Sequence, residues 1–302
     1  MTVALREFIT RRKKELNALI LAHYYQLPEI QDMADFVGDS LQLARQAAET
    51  DAKVIVFCGV SFMAESAKIL SPDKMVLLPE NKASCAMANM ISGKDLKLLK
   101  EKHPGAVVVC YVNSTAEVKA ESDICCTSAN AVNVVKSIPE DKQIIFVPDR
   151  NLGAYIQSQT GRDMILWEGC CPVHDKLGEK EVREQIRLHP EAKVVVHPEC
   201  APDVIKLADA VRSTAGILNY VKNSPDKEFI IGTEEGFLYT LQKNCPDKVC
   251  YLARQEFLCE DMKLTTLEKL AASLKNLQHQ VQVPEDIRQK AYFSLDRMLK
   301  IK

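Results

Sequence analysis

At 302 residues the chain exceeds the size at which one hydrophobic core usually stops growing, so two or three units are expected. With 47% apolar residues and a formal net charge of −2, it has material for real cores and no basic stripe for nucleic acid. No apolar run approaches the ~18 residues of a membrane span, and the charged opening MTVALREFITRRKKELN lacks the apolar heart of a signal peptide, so a cytoplasmic protein is expected.

After an opening helix the chain reads as strands alternating with helices. The run LILAHYY (19–25) leads to a helix starting within GDSLQLARQAAE, then to a second strand, VIVFCG, a further helical stretch, the strand MVLLP and the segment SCAMAN. The same series begins again with VVVCYVN (107–113), TSANAVNVVKSI, QIIFVP, MILW and CCPVH. It begins a third time with KVVVHPE (193–199), STAGILNYVKNS, EFIIGT, VCYLA and FLCEDM.

The repeats keep register. His23, Tyr111 and His197 are separated by 88 and 86 residues, as are Ser40, Ser128 and Thr214, while Cys85, Cys171 and Cys259 are separated by 86 and 88. Three independent features in one register identify an internal repeat. Alternating strands and helices with near-continuous apolar strands imply parallel sheets covered on both faces. The expectation is an α/β protein of three homologous sandwich domains about a pseudo-threefold axis, at 1–86, 87–171 and 172–265. Residues 266–302 carry apolar positions at helical spacing and are expected to pack back onto the first domain.

Ligands of open parallel sheets bind beyond the carboxyl ends of the strands, where His23, Tyr111 and His197 stand. Ser40, Ser128 and Thr214 read as residues opening helices, either as plain N-caps or as part of an anion receptor built from helix N-termini. The spacing favours both roles at once, and hence a small substrate carrying carboxylates or phosphate.

Eleven cysteines, an odd number with two adjacent pairs, suit no disulfide framework, and most read as small buried hydrophobes. The three in register are different. One thiolate per domain, meeting near the axis, could hold zinc with a water or a cubane cluster with one iron left free.

Taken together, LAHYYQLPEIQDMADFVGDSLQLA, CYVNSTAEVKAESDICCTSANAV, FVPDRNLGAY, CPVH, HPEC, GTEEG and the final Cys259 resemble the quinolinate synthase family over essentially the whole chain. The resemblance implies a transferase that condenses iminoaspartate with dihydroxyacetone phosphate to quinolinate, losing phosphate and water, in NAD biosynthesis. It implies one [4Fe–4S] cluster on Cys85, Cys171 and Cys259 with an open iron as Lewis acid, Cys171 being preferred over Cys170 because it directly precedes Pro172-Val173-His174. It places His23, Ser40, Tyr111, Val112, Asn113, Ser128, His174, His197, Pro198, Glu199, Ser213 and Thr214 around the substrate. Glu199 is the expected base, with Tyr25, Tyr111 and His197 moving or orienting protons. An aspartate-oxidising enzyme is the candidate supplier of iminoaspartate.

The chain departs from the family pattern at Tyr24, where Asn is usual, and at SCAMAN, where a TCPMAN-like form is frequent. No cysteine follows Cys259, so disulfide regulation there is not expected. Cluster enzymes of the isoprenoid-reductase and diphthamide-synthesis types share the three-cysteine logic, but the HPE, YVN and TSAN segments separate this chain from them. A zinc-bridged scaffold is the non-enzymatic alternative.

Overall fold

The structure is a computed structural model that describes residues 2–301. Among the described residues, twelve short strands form three four-stranded sheets, with every strand pair within them parallel. The first sheet comprises β1 (Ala18–His23), β2 (Phe36–Gly38), β3 (Val54–Cys58) and β4 (Met75–Leu77). The second comprises β5 (Val107–Tyr111), β6 (Ile124–Cys126), β7 (Ile144–Val147) and β8 (Ile165–Leu166). The third comprises β9 (Lys193–Val196), β10 (Ala210–Val211), β11 (Glu228–Gly232) and β12 (Val249–Leu252). Strand order repeats as β2-β1-β3-β4, β6-β5-β7-β8 and β10-β9-β11-β12. The protein is therefore an α/β assembly of three like sandwiches.

The strand sequences explain the burial. β3, VIVFC, is buried at every position, as expected for a β-branched and aromatic strand with helices on both faces. In each sheet the first strand is central, and its carboxyl end carries a residue of the first register: His23 pairs with Gly38, Tyr111 pairs with Cys126, and His197 follows β9 directly.

A device the sequence reading missed recurs in the same register. Asp35, Asp123 and Asp209, separated by 88 and 86 residues, each lead into the second strand of a sheet. Each carboxylate accepts the backbone N–H of a central strand, from Ile20, Val108 and Val194, at 2.8 Å in all three cases. Each Asp backbone N–H donates in return to the carbonyl of that same strand residue, at 2.9, 3.1 and 2.8 Å. The paired bonds fix where the second strand starts, and so where the loop after the central strand ends.

The C-terminal segment divides its contacts. The helix Leu267–Asn276 packs on the opening helix Thr2–Glu15 and on β3, over the outer face of the first sheet. The last helix, Glu285–Lys300, instead lies against the helix Ala116–Ala120, β6 and the helix Ser61–Leu70. It therefore covers the seam between the first and second sheets. Among the described residues, no helix is long and apolar enough to cross a membrane.

Candidate active site

Two cavities share a wall at the carboxyl ends of the central strands. The larger, about 280 Å³, is lined by Cys85, Cys171 and Cys259. The smaller, about 50 Å³, is lined by His23, Ser40, Tyr111, Ser128, His197 and Thr214, among others. Tyr25, Asn113, Glu199 and Met262 line both. Tyr25, Asn113 and Glu199 are themselves separated by 88 and 86 residues, each two positions beyond a strand-end residue of the repeat. Apart from Met262, the wall is thus made by one equivalent residue from each unit. The side-chain amide oxygen of Asn113 and Oε1 of Glu199 are buried there without a hydrogen-bond partner, an arrangement that suits groups awaiting a ligand.

The cysteines come from three loops built alike. Each sulfur accepts the backbone N–H three residues on: Cys85 from Ala88, Cys171 from His174 and Cys259 from Met262. Each opens a short helical turn, at Ala88–Met90, Pro172–Asp175 and Asp261–Lys263. Burial pushes the Cys85 thiol up to about 12 and Cys259 up to about 11, and raises Cys171 well above its ordinary value. The amide donors oppose this in each case. Three soft sulfurs facing one cavity, each supplied with an N–H, suit a metal centre whose charge would ionise them. Cys170 lines neither cavity and lies against Arg150 and Asp175 instead.

Cys171, His174 and Glu199 bring donor atoms within 4.8 Å of one another. The contact between His174 Nδ1 and Glu199 Oε2 is 2.8 Å, a hydrogen-bond distance. Two ligands on one tetrahedral ion at about 2.0–2.3 Å would stand roughly 3.3 Å apart or more. We therefore read this group as hydrogen-bonded rather than as a single-ion site.

A carboxylate can only accept, so a neutral His174 carries its proton on Nδ1, facing Glu199. Its Nε2 then accepts from the Thr233 hydroxyl at 3.0 Å, Thr233 accepts from the Tyr25 hydroxyl at 2.6 Å, and Tyr25 accepts from Thr214 at 3.1 Å. This chain runs from the small cavity to Glu199 with every donor matched to an acceptor. Burial and the nearby Glu199 hold both Tyr25 and Tyr111 well above the ordinary phenol range, so each remains a donor at neutral pH.

His23 and His197 repeat one local geometry. The ring Nδ1 accepts the backbone N–H two residues on, from Tyr25 at 3.2 Å and from Glu199 at 3.3 Å. That bond assigns the proton to Nε2 in each neutral ring, and His197 Nε2 donates to the Ser128 hydroxyl at 3.2 Å. Burial takes both imidazoles down to about 3, so neither is charged at neutral pH. Burial would raise the Glu199 carboxyl, but His197, His174 and Tyr111 outweigh it and hold Glu199 at about 2.

The expectation that Ser40, Ser128 and Thr214 cap helices is corrected. Ser40 and Thr214 are the first helical residues, and the caps stand one position earlier: Asp39 accepts from Gln42 N–H at 3.1 Å and Ser213 from Gly216 N–H at 3.2 Å. Ser128 lies before the helix Ala131–Lys136, and Thr127, in the equivalent place, accepts from Ala129 N–H. The register hydroxyls are thereby released from capping and face the cavity. Ser213→Ala should therefore cost about 0.5–2 kcal/mol in urea unfolding, and Ser40→Ala clearly less; equal losses would return Ser40 to a capping role.

Val112, Pro198 and Ser213 are buried but line neither cavity. Sequence reasoning gave no role to Thr233, Glu234 or Lys263, although the first two stand inside GTEEG. Lys263 pairs with Glu234 at 2.7 Å and donates to the Tyr25 carbonyl, while Glu234 accepts the Cys259 N–H at 3.2 Å. A Cβ on Gly236 would stand 2.5 Å from the Lys263 ammonium and 2.9 Å from the Tyr25 carbonyl, so the motif's glycine makes room for this tie between the first and third units.

The profile of the family described as Quinolinate synthetase A protein matches residues 7–300. The chain is 57% identical to a quinolinate synthase of Desulforudis audaxviator over 291 residues, covering 96% of this chain and 95% of the relative. It is 55% identical to a quinolinate synthase of Methanosarcina barkeri over 296 residues, covering 98% and 97%. It is also 55% identical to one from Dehalococcoides mccartyi over 300 residues, covering 98% and 99%.

Proposed function

Because this chain belongs to the Quinolinate synthetase A protein family, we propose that it condenses iminoaspartate with dihydroxyacetone phosphate to quinolinate, releasing phosphate and water, in NAD biosynthesis. The observation that carries this reading is the shared wall. Three cysteines, one per unit, face a cavity that Tyr25, Asn113 and Glu199 join to a pocket of hydroxyls and imidazoles.

Cys85, Cys171 and Cys259 would hold a [4Fe–4S] cluster. Three thiolates from three separate loops, all lining one cavity, suit a polynuclear centre with one iron left open. When bound, the cluster supplies a Lewis-acidic iron suited to a hydroxyl that leaves poorly.

The chain's own groups do the rest. The neutral Nε2–H of His23, the Ser40 hydroxyl, the Ser128 hydroxyl that accepts from His197, and the Asn113 amide donate to a small polyanion without burying a fixed cation, while Thr214, whose proton goes to Tyr25, lines the pocket as an acceptor. Glu199 takes a proton from carbon next to a carbonyl or imine. A carboxylate held at about 2 is a weak base, but a substrate carboxylate beside it raises its affinity for a proton. The Thr214–Tyr25–Thr233–His174 chain points its donors toward Glu199 and so holds Oε2, leaving the unpartnered Oε1 to take the proton in a confined volume that excludes bulk water.

Protein purified and reconstituted without oxygen should form quinolinate from the two substrates, and Cys171→Ala should not. Absence of quinolinate from protein shown by its absorption and iron content to carry the cluster would overturn the reading.

A further inference from the structure

We propose that Asn151 is a positioning residue for Glu199, holding the two ends of the Glu199–His174 hydrogen bond at a fixed separation. The proposal rests on Glu199 acting as the proton acceptor described above.

Asn151 sits in the first turn of the helix Arg150–Thr160, which follows β7 of the second sheet. That turn is fixed by Asp149, whose Oδ1 accepts the N–H groups of Asn151 at 2.8 Å and Leu152 at 3.0 Å. The side chain is buried and lines neither cavity, so it does not reach substrate. Its Nδ2 carries two hydrogens, and both are committed. One goes to the Glu199 carbonyl at 3.1 Å, the other to Asp175 Oδ1 at 2.8 Å.

These acceptors belong to the two segments that must meet. Glu199 has its N–H on the His197 ring and its carbonyl on Asn151, so its peptide is held from both sides. Asp175 ends the turn Pro172–Asp175 that carries His174; its N–H donates to the Cys171 carbonyl at 2.8 Å, and its carboxylate also receives Arg150 Nη2 at 3.2 Å on each oxygen. One amide from the second unit therefore sets the distance between the segment bearing Glu199 and the segment bearing His174. Among the described residues no other donor reaches the Glu199 carbonyl, so nothing replaces the lost hydrogen bond.

The test is a double-mutant cycle on the cluster-loaded enzyme, with Asn151→Ala, Glu199→Gln and the pair, following kcat, KM and iron content. A misplacement near 1 Å can cost about 10²-fold, so Asn151→Ala should lower kcat by about 10–100-fold with parent-like iron content. In the Glu199→Gln background the same change should cost under about twofold, because residues acting as a unit are strongly non-additive. A full loss in both backgrounds, an unchanged kcat, or loss of iron each overturns the proposal, the last making Asn151 a support of the Cys171 loop. If Asn151→Ala does not fold, Asn151→Ser, which loses the reach to both acceptors but keeps a polar group, is judged by the same criteria. Near-parent turnover in Glu199→Gln alone removes the base reading, and the present proposal with it, without reference to any Asn151 variant.

Discussion

Glu199→Gln is expected to retain its iron and its absorption while the rate of quinolinate formation falls by about 10²–10⁴-fold, the usual worth of general acid–base catalysis. Gln keeps the length and volume of the side chain and can still accept from His174 Nδ1, so the local structure should survive. What it cannot do is take a proton. Substrate binding, followed through spectral changes on adding dihydroxyacetone phosphate or an analogue, should persist. Turnover near the parent's would pass the base role to Tyr25 or His197. Loss of the cluster would make Glu199 a structural partner of the His174 turn, which its 2.8 Å contact with His174 makes a real alternative outcome.

Replacing Cys85, Cys171 or Cys259 singly with Ala should abolish the intact cluster, with bound iron falling to a small fraction of the parent's and turnover lost. Cys170→Ala and Cys58→Ala should keep it. Cys58 is buried in β3 and Cys170 lies against Arg150 and Asp175. The contrast between the adjacent residues 170 and 171 is the sharpest part. A stable Cys171→Ala protein with full iron content would show that the wrong sulfur had been assigned.

The period of the chain was legible because its strands, hydroxyls and cysteines are marked by residue type. It led to three alike sheets and to the residues that the structure gathers at two adjoining cavities. The capping assignment slipped by one position because Asp39 and Ser213 are as good caps as Ser40 and Thr214, and local sequence does not say which of two neighbours turns inward. Thr233, Glu234, Lys263 and Asn151 were missed for a different reason. Their partners are Tyr25, Cys259 and Glu199, each in another unit or loop, and a repeat shows which positions are equivalent without showing which face one another across the axis. The ring of Tyr25, Asn113 and Glu199 could have been found, since it follows the strand-end register by two residues and keeps its spacings of 88 and 86.

The last helix carries a consequence for how the protein is made. Glu285–Lys300 packs on Ala116–Ala120, β6 and Ser61–Leu70, and Asn130, just after the turn bearing Ser128, donates to the carbonyls of Met298 and Ile301 at 3.1 and 3.4 Å. Segments synthesised early thus wait for a partner synthesised some 170 residues later. On a ribosome adding about 5–20 residues per second, the first and second sheets spend many seconds with that seam uncovered, and contacts spanning some 170 residues close slowly. The turn that presents Ser128 gains this anchor only once residues 285–301 have been made, so the substrate pocket is completed late, however early its strands have paired.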